Sequence, residues 1–145
     1  MNAANSWKSY QQIATQTAPP GQLILMLFDG ALLSLERALA GFQHADPGQK
    51  NQAIHNNLRR AVDIIRQLNY ALNLEAGGKL AATLRRLYNY FDVRLTESNL
   101  KKQRDGVDEV LVHLKGLRDA WATMLDSRGQ ESVAADEPER LLHSV

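Results

Sequence analysis

Few residues in this chain have types and spacings that could do chemistry. Gly77-Gly78-Lys79 has the look of a phosphate-binding loop, in which backbone amides cradle phosphates and a lysine reaches them. The pattern fails at Leu80, where a serine or threonine would bind magnesium, and its first glycine is missing; a helix-ending turn accounts for the glycines better. Glu109 with His113 and Glu139 with His143 pair a carboxylate with an imidazole, as metal sites in helical bundles do. Both pairs are four residues apart, where the di-iron motif needs three, and the preceding helices offer only Glu36 and Glu75 to complete a cluster. His44 and His55 read as solvated. No serine lies in a nucleophile-elbow sequence, and no paired carboxylates suggest acid–base work. The expectation is a protein with no catalytic residue, no cofactor and no metal.

Two charged features call for binding rather than chemistry. Lys79, Arg85, Arg86, Arg94, Lys101, Lys102 and Arg104 face only Asp92 and Glu97 along one stretch. Such a run could meet nucleic acid, but a solvated helix face explains it more simply, and Glu97 with Lys101 has the favourable i,i+4 order. Arg118 falls between Leu125 and Leu111 on a helical wheel, inside an apolar stripe. A guanidinium there needs an ion partner, an exit to water, or a polar group of a bound chain to anchor.

The bulk numbers narrow the field further. The chain of 145 residues carries a net charge of +1, so no strong field draws it to nucleic acid or to a membrane. It has no cysteine, which removes disulfide and thiolate chemistry and agrees with a reducing compartment. The start, MNAANSWKSYQQ, lacks the basic and apolar regions of a secretory signal. The longest unbroken apolar run is Leu23 to Phe28, too short to span a bilayer. These features predict a cytoplasmic protein with no membrane insertion.

Proline and glycine punctuate the chain at Pro19-Pro20-Gly21, Asp46-Pro47-Gly48, Gly77-Gly78 and Asp105-Gly106, and the period between them is helical. Four helices are predicted, over about Pro20 to Phe42, Pro47 to Ala76, Lys79 to Leu100, and Gly106 to Leu125. Asp46 and Asp105 supply N-caps, and Gly77 a left-handed end for the second helix. The inward stripes read Ile54, Leu58, Ala61, Ile65, Leu68 and Leu72; then Leu80, Leu84, Leu87, Phe91 and Leu95; then Val107, Val110, Leu114, Leu117, Trp121 and Leu125. Short connections make successive helices antiparallel. The expected fold is all-α, an antiparallel up-down-up-down four-helix bundle over residues 19–125. A flexible, loosely docked N-terminal segment (1–18) precedes it, and a mobile polar tail (126–145) follows.

The first helix has more apolar surface than one core uses. Ile24, Leu27, Phe28, Ala31, Leu32, Leu35, Ala38, Leu39 and Phe42 form a broad inward face. Beyond Asp29 and Glu36 comes a second series, Leu23, Met26, Gly30 and Leu33, then Ala40. It could lie under the N-terminal segment or the tail, form a homodimer seam, or make a groove for another chain's amphipathic helix. Methionine adapts to irregular partners and glycine admits close approach, which suits the groove. A loosely held N-terminal segment, with Tyr10 and Ile13, could cover that groove until a partner displaces it. A generic helical adaptor or dimerisation module for another protein is the alternative reading.

The chain also resembles a known family. TAPPGQLILMLFDGALLSLERA in the first helix, LNYALNLEAGG leaving the second, KLAATLRRLYNYFDVRL in the third and DEVLVHLKGLRDAW in the fourth look together like the flagellar secretion chaperones, the FliS-type flagellin chaperones. The resemblance covers roughly Tyr10 to Met124. It departs at Pro19, where the family usually has a serine or threonine cap, at Phe28, usually tyrosine, and at Lys79, commonly glutamate. It implies an antiparallel bundle that binds the disordered C-terminal segment of flagellin in the cytoplasm. Bound there, flagellin is kept from early polymerisation and handed to the type III export gate. The resemblance further implies that the N-terminal segment around Tyr10 takes part in binding and in gate contacts. The candidate partner-binding residues are Tyr10, Ile13, Leu23, Met26, Gly30, Leu33 and Arg118.

Overall fold

In a computed structural model, the backbone is described over residues 20–143 and side chains as far as Arg128. Four helices follow in order: α1 (Pro20–Gly41), α2 (Pro47–Tyr70), α3 (Leu74–Lys101) and α4 (Asp105–His143). The backbone divides into two compact units, one of Met26–Gly116 and one of Met1–Leu25 with Leu117–Val145.

In the unit Met26–Gly116 all four helices turn apolar side chains inward. Phe28, Ala31, Leu35 and Ala38 of α1 are buried, as are Ile54, Leu58, Ala61, Val62, Ile64, Ile65 and Leu68 of α2. Ala81, Tyr88, Phe91 and Leu95 of α3 join Val107, Val110 and Leu114 of α4. Burying each large aliphatic side chain contributes about 2 kcal/mol. The expected four-helix bundle is what these stripes build. Close approach is arranged with small residues: a Cβ on Gly41 would stand 3.0 Å from that of Ala53.

The chain ends its helices largely by local hydrogen bonds. Asp46 accepts the amide of Gln49 at 2.8 Å and caps α2, as its sequence position predicts. The exit from α2 differs from expectation. That helix stops at Tyr70 rather than Ala76, because Asn73 starts a new helix by accepting the Ala76 amide at 3.1 Å. The glycine pair therefore lies inside α3. Gly78, at φ 54 and ψ −128, kinks it, a conformation that suits glycine alone. In the turn after the kink Ala81 takes the inward position, and Leu80 is 68% exposed instead of joining the core. At the far end Lys102 adopts the left-handed region, and its ammonium reaches the Asn99 carbonyl at 2.7 Å. α4 carries on past Leu125, where its apolar period ends, to His143.

In the second unit, the Trp121 indole N–H donates to the Gly21 carbonyl at 2.9 Å. A Cβ on Gly21 would meet Leu125 Cδ2 at 2.5 Å, so the leucine tip would have to turn aside to admit one.

Two glycines of α4 give opposite predictions. A Cβ on Gly106 would collide with the buried Ser98 hydroxyl and lie 3.1 Å from the Arg94 carbonyl, whereas one on Gly116 meets nothing. In chemical denaturation Gly106→Ala is expected to lose about 1–3 kcal/mol to overpacking. Gly116→Ala is expected to gain up to about 1 kcal/mol of helix propensity. Burial also pushes the Tyr88 phenol up to about 12. The folded state then holds its proton where the unfolded chain releases it, so stability is full below pH 10 and falls as pH rises towards 12. In an alkaline titration followed by tyrosinate absorbance, Tyr88→Phe should remove a late-ionising phenol.

Candidate functional site

The second face of α1 begins from helix geometry. The buried arc of this helix takes in not only Phe28, Ala31, Leu35 and Ala38 but also Gly30, Ser34 and Gly41. The Ser34 hydroxyl donates back to the Gly30 carbonyl at 3.0 Å, so a polar side chain is satisfied inside the core. Next to that arc, Met26 is half-buried, Leu33 is 40% exposed and Ala40 is exposed. The series predicted from sequence is thus graded: Gly30 lies inward, while Met26 and Leu33 reach solvent. Leu23, in the other unit, is half-buried. Tyr10 and Ile13 lie outside the described residues.

Arg118 is about one-third exposed and lies 3.3 Å from Asp119. Its charge is met by a neighbouring carboxylate, the ion-pair outcome weighed for it from sequence.

The other chemical candidates find structural employment. Glu109, half of the supposed metal pair, accepts the Tyr90 hydroxyl at 2.5 Å and Arg94 at 2.8 Å. The Tyr90 hydrogen bond, then Arg94, hold the Glu109 carboxyl below the usual range, and the same bond raises the Tyr90 phenol. His113 stacks on Phe91 with ring centres 6.4 Å apart. Among the described residues no cluster of metal-ligating side chains occurs. The basic run is likewise broken into pairs: Arg94 with Glu109, Lys101 with Glu97, and Arg104 with Asp108. Lys79, Arg85, Arg86 and Lys102 have no carboxylate partner among the described residues.

Sequence reasoning missed two surfaces in the unit Met26–Gly116. One is a polar seam between α2 and α3. Arg66 bonds Asp92 at 2.8 Å, Asn69 links Asn89 at 2.9 Å and Arg85 at 3.2 Å, and His55 meets Asn99 at 3.0 Å. A shallow trough of about 260 Å³ runs over His55, Arg59, Arg66, Thr96 and Asn99. The only hint was the polar face of α2, which resembles any solvated face. The other is apolar and outward: Val93 is 67% exposed, Leu100 83% and Val112 70%. Its signal was present, since Val93 and Leu100 stand one heptad apart opposite the core stripe.

Comparison with known proteins adds what geometry alone does not. A family model described as flagellar protein FliS matches residues 3–128. The flagellar secretion chaperone FliS of Bacillus subtilis is 33% identical over 131 residues, covering 90% of this chain and 94% of that protein. Those of Salmonella typhimurium and Escherichia coli are 36% and 35% identical, covering 83% and 86% of this chain and 90% and 93% of their own.

The Glu109 cluster carries a pH signature. A carboxyl held low in the folded state stabilises it above the ordinary carboxylate range, and that contribution is lost as pH falls. The stability difference between the wild-type chain and Glu109→Gln, measured by urea denaturation, is expected to be largest near pH 7 and to shrink below about pH 4.5.

Proposed function

This chain belongs to the FliS family of flagellar secretion chaperones, proteins that are not enzymes, and from that premise we propose that it holds the C-terminal segment of flagellin before export. The observation that supports this reading is the partly exposed second face of α1, with Met26 and Leu33 beside a core that is already closed. A segment that folds on binding must offset its ordering cost, so such a complex needs on the order of 1,000–3,000 Å² of buried surface. Apolar helix faces supply that without a cofactor or a reaction.

In this reading Leu23, Met26 and Leu33 contact the client, whereas Gly30, which the sequence pattern places with them, is turned into the core. Tyr10 and Ile13 cover the face in the free chaperone, and Tyr10 also serves the export gate. Arg118 takes a polar group of the bound chain. The complex forms in the cytoplasm, where the segment is kept from polymerising early. No described helix is long and apolar enough to cross a membrane.

Met26→Glu with Leu33→Glu is expected to abolish capture of flagellin in a pull-down while leaving the circular dichroism spectrum unchanged, because neither side chain belongs to the fully buried core. Flagellin lacking its last ~40 residues should fail with the wild-type chaperone. Normal binding by the double variant would move the groove elsewhere. Normal binding by truncated flagellin would remove the C-terminal segment as the client.

A further inference from the structure

The corner where α3 gives way to α4 is tied to α2 by a run of three side chains. Lys102 sits there in the left-handed region at φ 51, a place that a helix end usually gives to glycine. In the last turn of α3 the buried Ser98 hydroxyl finds no partner among the described residues. Against these costs, the Lys102 ammonium reaches the Asn99 carbonyl at 2.7 Å and the Asn99 side-chain oxygen at 2.5 Å. The other end of the Asn99 amide lies 3.0 Å from Nδ1 of His55, across the seam on α2.

Elementary chemistry assigns the direction of each bond. An ammonium only donates, so the Asn99 atom facing Lys102 is its oxygen. The atom facing His55 is then the NH2 group, which also only donates, and Nδ1 has to accept. An imidazole nitrogen accepts only while it carries no proton, so the neutral ring keeps its hydrogen on Nε2. Protonation turns Nδ1 into a donor that faces a donor. The trough beside this contact is lined by α2 and α3 alone. Its charged side chains are Arg59, Asp63 and Arg66, all on α2, while α3 contributes Thr96 and Asn99, with Lys102 behind the latter. Asp63 stands two turns from His55, about 12 Å along the helix, too far to take over the ring as an ion partner.

We propose that His55, Asn99 and Lys102 form a proton-operated latch. With His55 neutral, the relay ties α2 to the corner between α3 and α4. With His55 charged, the tie across that end of the trough breaks and the corner opens locally. Histidine is the side chain that ordinarily changes charge between about pH 5 and 8, so the latch works in mild acid. It is independent of the client reading, since all three residues belong to the free chain and none lies on α1.

Amide hydrogen exchange of the full chain, corrected for the intrinsic effect of pH, reads the latch at Lys102 and Gln103, whose N–H groups bond the Ser98 carbonyl. From about pH 8 to about pH 5 their protection is expected to fall about fivefold, the worth of one hydrogen bond. In His55→Asn an amide oxygen stands in for Nδ1 and accepts at either pH, so protection should stay constant. In His55→Ala it should be low throughout. Long-range nitrogen–proton NMR of the wild-type chain at the upper pH should find the imidazole hydrogen on Nε2. A hydrogen on Nδ1 would overturn the latch, as would wild-type protection that ignores pH. A fall that persists in His55→Asn, or full protection in His55→Ala at the upper pH, would overturn it as well, by placing the effect outside this ring.

Discussion

A helix can turn only part of its circumference to a core, and this limit governs the molecule. α1 is 22 residues long and apolar over most of its surface, yet its buried arc runs from Phe28 and Leu35 to Gly30, Ser34 and Gly41. Small residues on one edge of that arc bring the neighbouring backbone close, as Gly41 does against Ala53. Leu33 stays 40% exposed as a result. Leaving such surface in water costs solubility and, on its own, contributes nothing to the fold. The proposed contact with a client would cover it.

Polar groups follow the opposite logic. The carboxylates and cations that first suggest a metal site or a nucleic-acid face are largely consumed by one another. Glu109 joins Tyr90 to Arg94, Asp92 holds Arg66, and Glu97 holds Lys101. These exposed pairs are individually weak, because water screens them. They nevertheless fix which faces remain chemically unsatisfied. What stays exposed includes both unpaired cations such as Lys79 and Arg86 and apolar side chains such as Leu80, Val93, Leu100 and Val112.

Much of this was legible in the sequence, and the exceptions have physical causes. Helical period, the Asp46 cap and the inward positions of α2 could be read directly, since periodicity reports burial wherever one face dominates. The glycine pair was read as an ending because glycine so often ends helices. The Asn73 side-chain oxygen overrode it by accepting the Ala76 amide and starting α3 earlier, so the pair lies inside that helix, kinked at Gly78. For the candidate site, the surplus face of α1 was visible as a count of apolar positions. Its grading was not, because whether Gly30 lies under a neighbour depends on packing distances that no wheel contains. Val93 and Leu100 escaped notice for a simpler reason: scattered apolar residues on a polar face are ordinary, and only the placement of α2 and α4 shows which side of α3 is left outward.

The central claim is that α1 serves a core with one face and a client with the other. Hydroxyl-radical footprinting of the full-length chain, alone and saturated with the C-terminal segment of flagellin, tests it at single side chains. Oxidation of Met26 and Leu33 should fall on complex formation, with no change at the buried Phe28 and Leu35. A stoichiometric complex in which Met26 and Leu33 react as they do in the free protein would contradict the account.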